Sequence, residues 1–95
     1  MKTVLLAHND GEVLARLTAQ LHDLGYEVIG AARTAGVALM HAAQGAVAFA
    51  LVGDVLAGRR DGPELMQALR DTWGIRCAPI SDRLDPDVLA ALEAG

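Results

Sequence analysis

The stretch VAFALVGDVLAGRRDG, residues 47–62, predicts the architecture of the chain. It begins with an uninterrupted apolar run, residues 47–52, of the length and composition of a buried strand. One acid, Asp54, stands just past this run, and a short loop then ends at the pair Asp61-Gly62. Pro63 follows at the place where a helix can begin. The stretch therefore predicts a strand, a loop with a polar tip, and the start of a helix.

The same alternation continues on both sides of this stretch. We expect strands at residues 3–7, 26–31, 47–52 and 77–80. We expect four helices. The first covers residues 13–24 after the cap Asp10, and the second runs from the cap Thr34 to Gly45. The third runs from Pro63 to Trp73 and ends before Gly74, and the fourth covers residues 88–94 after Asp85 and Pro86. Alternating strands and helices with short connections predict an α/β fold, a (βα)₄ chain whose mostly parallel sheet has helices on both faces.

Length and composition narrow the class of protein. The chain has 95 residues, enough for one small domain, residues 1–95, and 53% hydrophobic residues indicate a globular core. A net charge of −4 disfavours direct binding to nucleic acid, which needs clustered basic residues. The single cysteine, Cys77, cannot form an internal disulfide. The apolar run of residues 4–7 is too short for a signal peptide or a membrane span, so we expect a cytoplasmic protein without membrane contact.

Polar residues follow three of the predicted strands. They are His8, Asn9 and Asp10 after the first strand, Asp54 after the third, and Ser81 after the fourth. Ligands of open parallel sheets bind beyond the carboxyl ends of the strands. The candidate site is therefore this edge of the sheet.

These segments resemble the receiver domain of bacterial two-component response regulators, and the resemblance covers the whole chain. The matching segments are TVLLAHND, LGYEVIGAARTAGVAL, LVGDVLAGRRDGPELMQALR, APISD and DPDVLAALEAG. The most specific element is the Asp61-Gly62 pair, whose acid lies seven residues beyond Asp54.

The resemblance implies a flavodoxin-like, doubly wound sheet and a role in signal transduction rather than an enzyme. Asp54 would accept a phosphoryl group from a histidine kinase or phosphotransfer protein, and Ser81 would be the switch hydroxyl. A Mg²⁺ ion would draw on Asn9, Asp54 and the backbone carbonyl of Leu56, with His8 or Asp10 as further candidates. Mg²⁺ takes oxygen ligands of this kind.

Two departures from the family weaken this phosphorylation chemistry. His8 and Asn9 stand where the family carries acids, so we expect Mg²⁺ to bind weakly or not at all. The sequence also ends before the fifth strand, which carries the family's lysine. Lys2 lies at the opposite end of the first strand and cannot replace it, whereas Arg59 and Arg60 in the loop after Asp54 are candidates for the positive charge.

The missing fifth strand and helix also affect the expected surface. Without them, we expect apolar side chains beside the fourth strand and the first helix to be left uncovered, and a homodimer to cover them. Pro79 suits an edge strand, because proline cannot donate to the hydrogen-bond ladder of a central strand.

Three hypotheses about function follow. The first, which we predict, is a receiver that accepts a phosphoryl group on Asp54 with weakened metal and phosphorylation chemistry. The alternative is a pseudo-receiver that acts as a protein interaction module without phosphorylation. The third, a small doubly wound enzyme, lacks an acid/base pair and a cofactor fingerprint.

Overall fold

Four strands alternate with four helices along the chain. The computed structural model describes residues 2–58 and 61–94. The elements are β1 (Thr3–Ala7), α1 (Gly11–Asp23), β2 (Glu27–Ala32), α2 (Ala35–Gln44), β3 (Phe49–Gly53), α3 (Gly62–Trp73), β4 (Arg76–Ile80) and α4 (Pro86–Ala94). The predicted (βα)₄ order is confirmed. Arg59 and Arg60, considered above as a source of positive charge, lie outside the described residues.

The strands form one sheet in the order β2-β1-β3-β4, and every neighbouring pair is parallel. Ala7 pairs with Val52, and Gly53 pairs with Ile80, so β1, β3 and β4 end close to the same level. This strand order and the helices on both faces confirm the flavodoxin-like, doubly wound fold predicted from the sequence.

Short polar side chains begin all four helices. Asp10, Thr34, Asp61 and Asp85 each accept a backbone N–H of the first helical turn, which satisfies one of the donors that a helix start leaves free. Gly74 ends α3 with a φ of 65°, a left-handed conformation that suits glycine. The caps predicted at Asp10, Thr34 and Gly74 are confirmed.

The sheet separates two hydrophobic cores. The first core, on the α1 and α4 face, contains mostly large side chains: Val4, Leu6, Val13, Leu14, Leu17, Leu21, Phe49, Leu51, Ala78, Ile80, Val88 and Leu92. The second core, on the α2 and α3 face, is rich in alanine: Leu5, Ala7, Ala32, Ala35, Ala38, Ala42, Ala50, Val52, Leu56, Leu65, Leu69 and Ile75. Both cores leave the carboxyl edge of the sheet free for polar residues.

Helix α4 lies on the same face as α1, opposite α3. Val88 and Leu92 of α4 pack in the first core, and Lys2 Nζ donates to the carbonyl of Leu92 near the end of the helix. Crossovers between parallel strands are almost always right-handed. Because α4 lies on the α1 face, a crossover through α4 to a parallel strand at the free edge of β4 would be left-handed.

The position of α4 changes one expectation about the surface. The side of the sheet next to α1, expected to be partly uncovered, is covered by α4. Within the part of the chain that the structure describes, β4 is an edge strand, and Pro79 lies in it as expected. The homodimer expected to cover this region stays a prediction. None of the helices in the described residues is both long and apolar enough to cross a membrane.

Candidate functional site

Three loops lie at the carboxyl edge of the sheet, here called the rim: residues 8–10 after β1, residues 54–58 and 61 after β3, and residues 81–85 after β4. The strands they follow are neighbours in the order β1-β3-β4. Among the described residues, the rim loops carry Asn9, Asp54, Leu56 and Ser81, together with His8 and Asp10.

The loop after β1 is held by its own polar side chains. The backbone N–H of Asp10 donates to His8 Nδ1 over 3.1 Å, and the backbone N–H of Glu12 donates to Asp10 Oδ1 over 2.9 Å. The Asp10 carboxylate therefore serves as the N-cap of α1, and His8 Nδ1 is occupied as an acceptor. A ligand could bind His8 Nδ1 only by displacing the N–H of Asp10.

Arg33, just past β2, ties two loops of the rim together. Its Nε donates to the backbone carbonyl of Asn9 over 3.0 Å, and its own carbonyl accepts the backbone N–H of Ala57 over 2.8 Å. The guanidinium thus lies beside the β1 loop as a fixed positive charge. Arg33 was not among the predicted site residues, although a basic residue two positions beyond a predicted strand was a usable signal.

His8 packs over Gly53, the last residue of β3. Gly53 is buried, and a Cβ built on it would lie 3.1 Å from His8 Cδ2 and 3.3 Å from the carbonyl oxygen of Ala7. The imidazole thus fills the space that a side chain at position 53 would occupy. Gly53, the last residue of β3, therefore has no side chain that could face the end of β1.

Asp54 lies one residue beyond β3 and is exposed. Its backbone carbonyl accepts the N–H of Gly62 over 3.0 Å, which closes the loop onto its own start. A Cβ built on Gly62 would overlap the carbonyl oxygen of Gly53 and lie 2.9 Å from its carbonyl carbon. The Asp61-Gly62 pair therefore has a physical cause: Asp61 caps α3, and only glycine allows so close an approach to β3.

No protein-family model and no curated protein matches the sequence, but solved structures do. The signal receiver domain of a modulated diguanylate cyclase from Desulfovibrio desulfuricans G20 has a TM-score of 0.81 and 26% identity, covering 99% of this chain and 75% of that one. A CheY-like response regulator receiver domain protein from Methanospirillum hungatei JF-1 has a TM-score of 0.75 and 26% identity, covering 100% and 76%. This chain has the fold of a response regulator receiver domain.

A third similar structure is larger. The anti-anti-sigma factor PhyR from Bartonella quintana has a TM-score of 0.80 at 20% identity, over 97% of this chain. The present chain spans 45% of the length of that protein. The receiver fold can thus be one part of a longer signalling protein.

On this receiver fold, the remaining predicted residues lie at the rim with different exposure. Ser81 and Asn9 are exposed, whereas the side chain of Leu56 is buried in the second core. The carbonyl of Asp82, next to Ser81, accepts a hydrogen bond from Arg16 Nη2 of α1. The roles predicted for Asp54, Ser81, Asn9 and Leu56 stay predictions.

The donor set at the rim does not fit a Mg²⁺ ion. In residues 2–58 and 61–94, the structure places no group of three or more His, Cys, Asp and Glu side chains where they could hold a metal. Asp10, one of the two rim carboxylates considered as ligands, already uses Oδ1 as the cap of α1. The Arg33 cation also lies at the neighbouring loop. Mg²⁺ keeps several waters and prefers carboxylate oxygens, and this rim supplies few of them.

Proposed function

We propose that the chain is a signal-receiver module that acts through protein contacts and does not need phosphorylation. The receiver fold supports a role in signalling, and the rim geometry supports the absence of phosphoryl chemistry. The observation that carries the proposal is the packing of His8 over Gly53. Beside Asp54, the predicted acceptor, the end of β3 therefore meets an imidazole of the first loop and not a carboxylate.

The electrostatics of the rim agree with this proposal. A carboxylate that attacks a phosphoryl group needs a cation to neutralise the incoming oxygens. The rim donor set does not fit Mg²⁺, and the Arg33 guanidinium is engaged with the carbonyl of Asn9. We therefore expect the phosphoryl group to transfer slowly or not at all, and the partner to be another signalling protein in the cytoplasm.

A second candidate function is phosphoryl acceptance by Asp54 from a histidine kinase or phosphotransfer protein. The exposure of Asp54 beyond β3 and its spacing of seven residues from Asp61 favour it. In this case Ser81 would donate its hydroxyl to the phosphoryl group. Mg²⁺, if required, would have to be held weakly by Asp54, Asn9 and the carbonyl of Leu56.

The experiment that separates the two is incubation with a small phosphodonor over a wide range of Mg²⁺ concentrations, followed by intact mass measurement. We expect no phosphoryl adduct on the unmodified protein. An adduct that disappears in Asp54→Asn would establish the second candidate and reject the first.

A reconstructed site provides the matched positive control. The double variant His8→Asp/Asn9→Asp removes the imidazole that packs on Gly53 and places acids where the family carries them, with Asp54 kept as the acceptor. We expect this variant to acquire a phosphoryl adduct, provided that circular dichroism shows it folded. A folded double variant without an adduct would mean that His8 and Asn9 are not what prevents phosphorylation.

A further inference from the structure

A groove of about 310 Å³ lies between the end of α1 and the start of α4. Its first wall belongs to the end of α1 and consists of Gln20, Asp23 and Leu24. Its second wall belongs to the loop before α4 and to the helix itself, and consists of Arg83, Leu84 and Leu89. We call this surface the α1–α4 groove. Helix α4 attaches to the sheet through Val88 and Leu92, which are buried in the first core, and this attachment leaves the groove open beside α1.

A hydrogen bond sets the position of the second wall relative to the first. Arg16 Nη2 of α1 donates to the backbone carbonyl of Asp82, in the loop that continues to Arg83. Arg16, Gln20 and Asp23 follow one another at spacings of four and three, so they lie on one side of α1. The bond therefore holds the loop, with its arginine, beside the side of α1 that carries Asp23.

Each wall carries one charge and an apolar surface. Asp23 on the first wall and Arg83 on the second are both exposed. Leu24 on the first wall is 55% exposed, and Leu84 and Leu89 on the second are half-buried. The two walls thus have opposite charges and similar apolar side chains.

Two acids near Arg83 do not face the groove. Asp85 accepts the backbone N–H of Val88 and so caps α4. Asp87 precedes Ala91 by four residues, which places the two on the same side of α4, and Ala91 lines a different cavity, beside β4. Arg83 is therefore the charge that the second wall presents to the groove.

We propose that the α1–α4 groove binds the same groove of a second copy of this chain, around a two-fold axis that runs along the groove. Such an axis brings each wall against the opposite wall of the second copy, so residues meet in reciprocal pairs. Asp23 of each copy then lies against Arg83 of the other. Leu24 of each copy packs on Leu84 and Leu89 of the other.

The match between the two walls is the reason to assign a second copy as the partner. A two-fold interface needs a surface that is complementary to itself, and this groove meets that condition with two opposite-charge pairs and leucines between them. The net charge of −4 opposes the approach of two copies, and the paired charges offset this repulsion at the contact and fix its register. The inference does not depend on whether Asp54 is phosphorylated.

Charge reversal tests the proposal, with sedimentation equilibrium over a wide range of protein concentration as the measurement. We expect a reversible dimer. Asp23→Arg and Arg83→Asp should each weaken it by about tenfold or more, because both pairs then join like charges. An equimolar mixture of the two variants should associate again as a heterodimer, because one copy then carries two positive charges in the groove and the other carries two negative charges.

Asp71→Arg is the matched control for charge. Asp71 is exposed on α3, outside the groove, and its reversal changes the net charge by the same amount as that of Asp23, so the dimer constant should stay unchanged. Leu24→Ser should also weaken the dimer. Met40→Ser should not, because Met40, although 48% exposed, lies on α2.

The outcomes that overturn the proposal are distinct. Circular dichroism first shows that each variant is folded. A protein that is monomeric at every concentration overturns the proposal. So does a dimer that resists both charge reversals, or one in which mixing the two reversed variants does not restore association.

Discussion

Two loops of the rim differ in how they are held. The loop after β1 is fixed by side chains, because His8 and Asp10 bond to its backbone and Arg33 binds the carbonyl of Asn9. The loop after β3 is fixed by backbone contact, because Gly62 lies directly on Gly53 and donates to the carbonyl of Asp54. Substitutions in the loop after β1 should therefore cost only a modest part of the free energy of unfolding. The loop after β3, in contrast, has no room for even the single methyl group that alanine would add at position 62.

The largest effect should come from Gly62→Ala. Its new Cβ would overlap the backbone of Gly53, which cannot move without disturbing β3. We expect a loss of about 3 kcal/mol in the free energy of unfolding, at the upper end of the cost of overpacking. Urea denaturation measures it. The matched control is Gly11→Ala at the start of α1, where a Cβ meets nothing within 4 Å and should cost little. Equal effects of the two substitutions would show that the close approach at Gly62 does not matter for stability.

A smaller effect is expected where the two loops touch. Gly53→Ala would put a Cβ 3.1 Å from His8 Cδ2, so the imidazole must shift, at a cost of about 1–2 kcal/mol. The double variant His8→Ala/Gly53→Ala should recover much of this loss, because the ring is no longer there. A double-mutant cycle of unfolding free energies gives the coupling directly, and additive losses would contradict the contact.

Replacing a helix cap should lower the free energy of unfolding only modestly, because a cap is a contact made by one side chain. Asp10→Ala and Asp61→Ala each remove the acceptor for a backbone N–H at a helix start, and each should cost about 1 kcal/mol. Asp10→Asn and Asp61→Asn, which keep an acceptor oxygen, should cost less. Thermal unfolding followed by circular dichroism measures the four variants. A loss at Asp10 as large as that of Gly62→Ala would remove the distinction between the loops.

The smallest effect concerns Cys77 in β4, away from both loops. Burial raises the pKa of its thiol, and the nearby Arg70 only partly opposes this. The folded state therefore holds the thiol proton more tightly than the unfolded state does, so stability should fall slightly as the pH rises past the ordinary thiol value of 9.0.

Two measurements check the behaviour of Cys77. Unfolding free energies measured across this pH range should show the fall, and Cys77→Ser should remove that part of the pH dependence. Iodoacetamide should also modify Cys77 more slowly in the folded protein than in urea. Equal rates would indicate a freely accessible thiol.

Much of the fold could be predicted because it depends on local patterns. Apolar runs and helical spacing gave the order of the elements, and Asp10, Thr34 and Gly74 marked helix ends with the short-range chemistry of caps. Strand limits were less accurate: the strand expected at residues 26–31 is Glu27–Ala32, and that expected at residues 47–52 is Phe49–Gly53. An apolar run does not by itself show where pairing with a neighbouring strand begins.

The candidate site was only partly predictable for the same reason. That His8, Asp54 and Ser81 gather at one edge follows from a parallel sheet, and a parallel sheet follows from the alternation of elements. That His8 covers Gly53 and that Arg33 joins two loops could not be read from the chain, because both contacts join residues far apart in sequence.

The sequence by itself determined the order of strands and helices and the helix caps, since both depend on residues close together in the chain. The tertiary structure alone decided that α4 covers the α1 face, that an imidazole replaces a side chain at the end of β3, and that a groove stays open between α1 and α4. These outcomes depend on which surfaces meet when distant segments pack, and local spacing does not specify that.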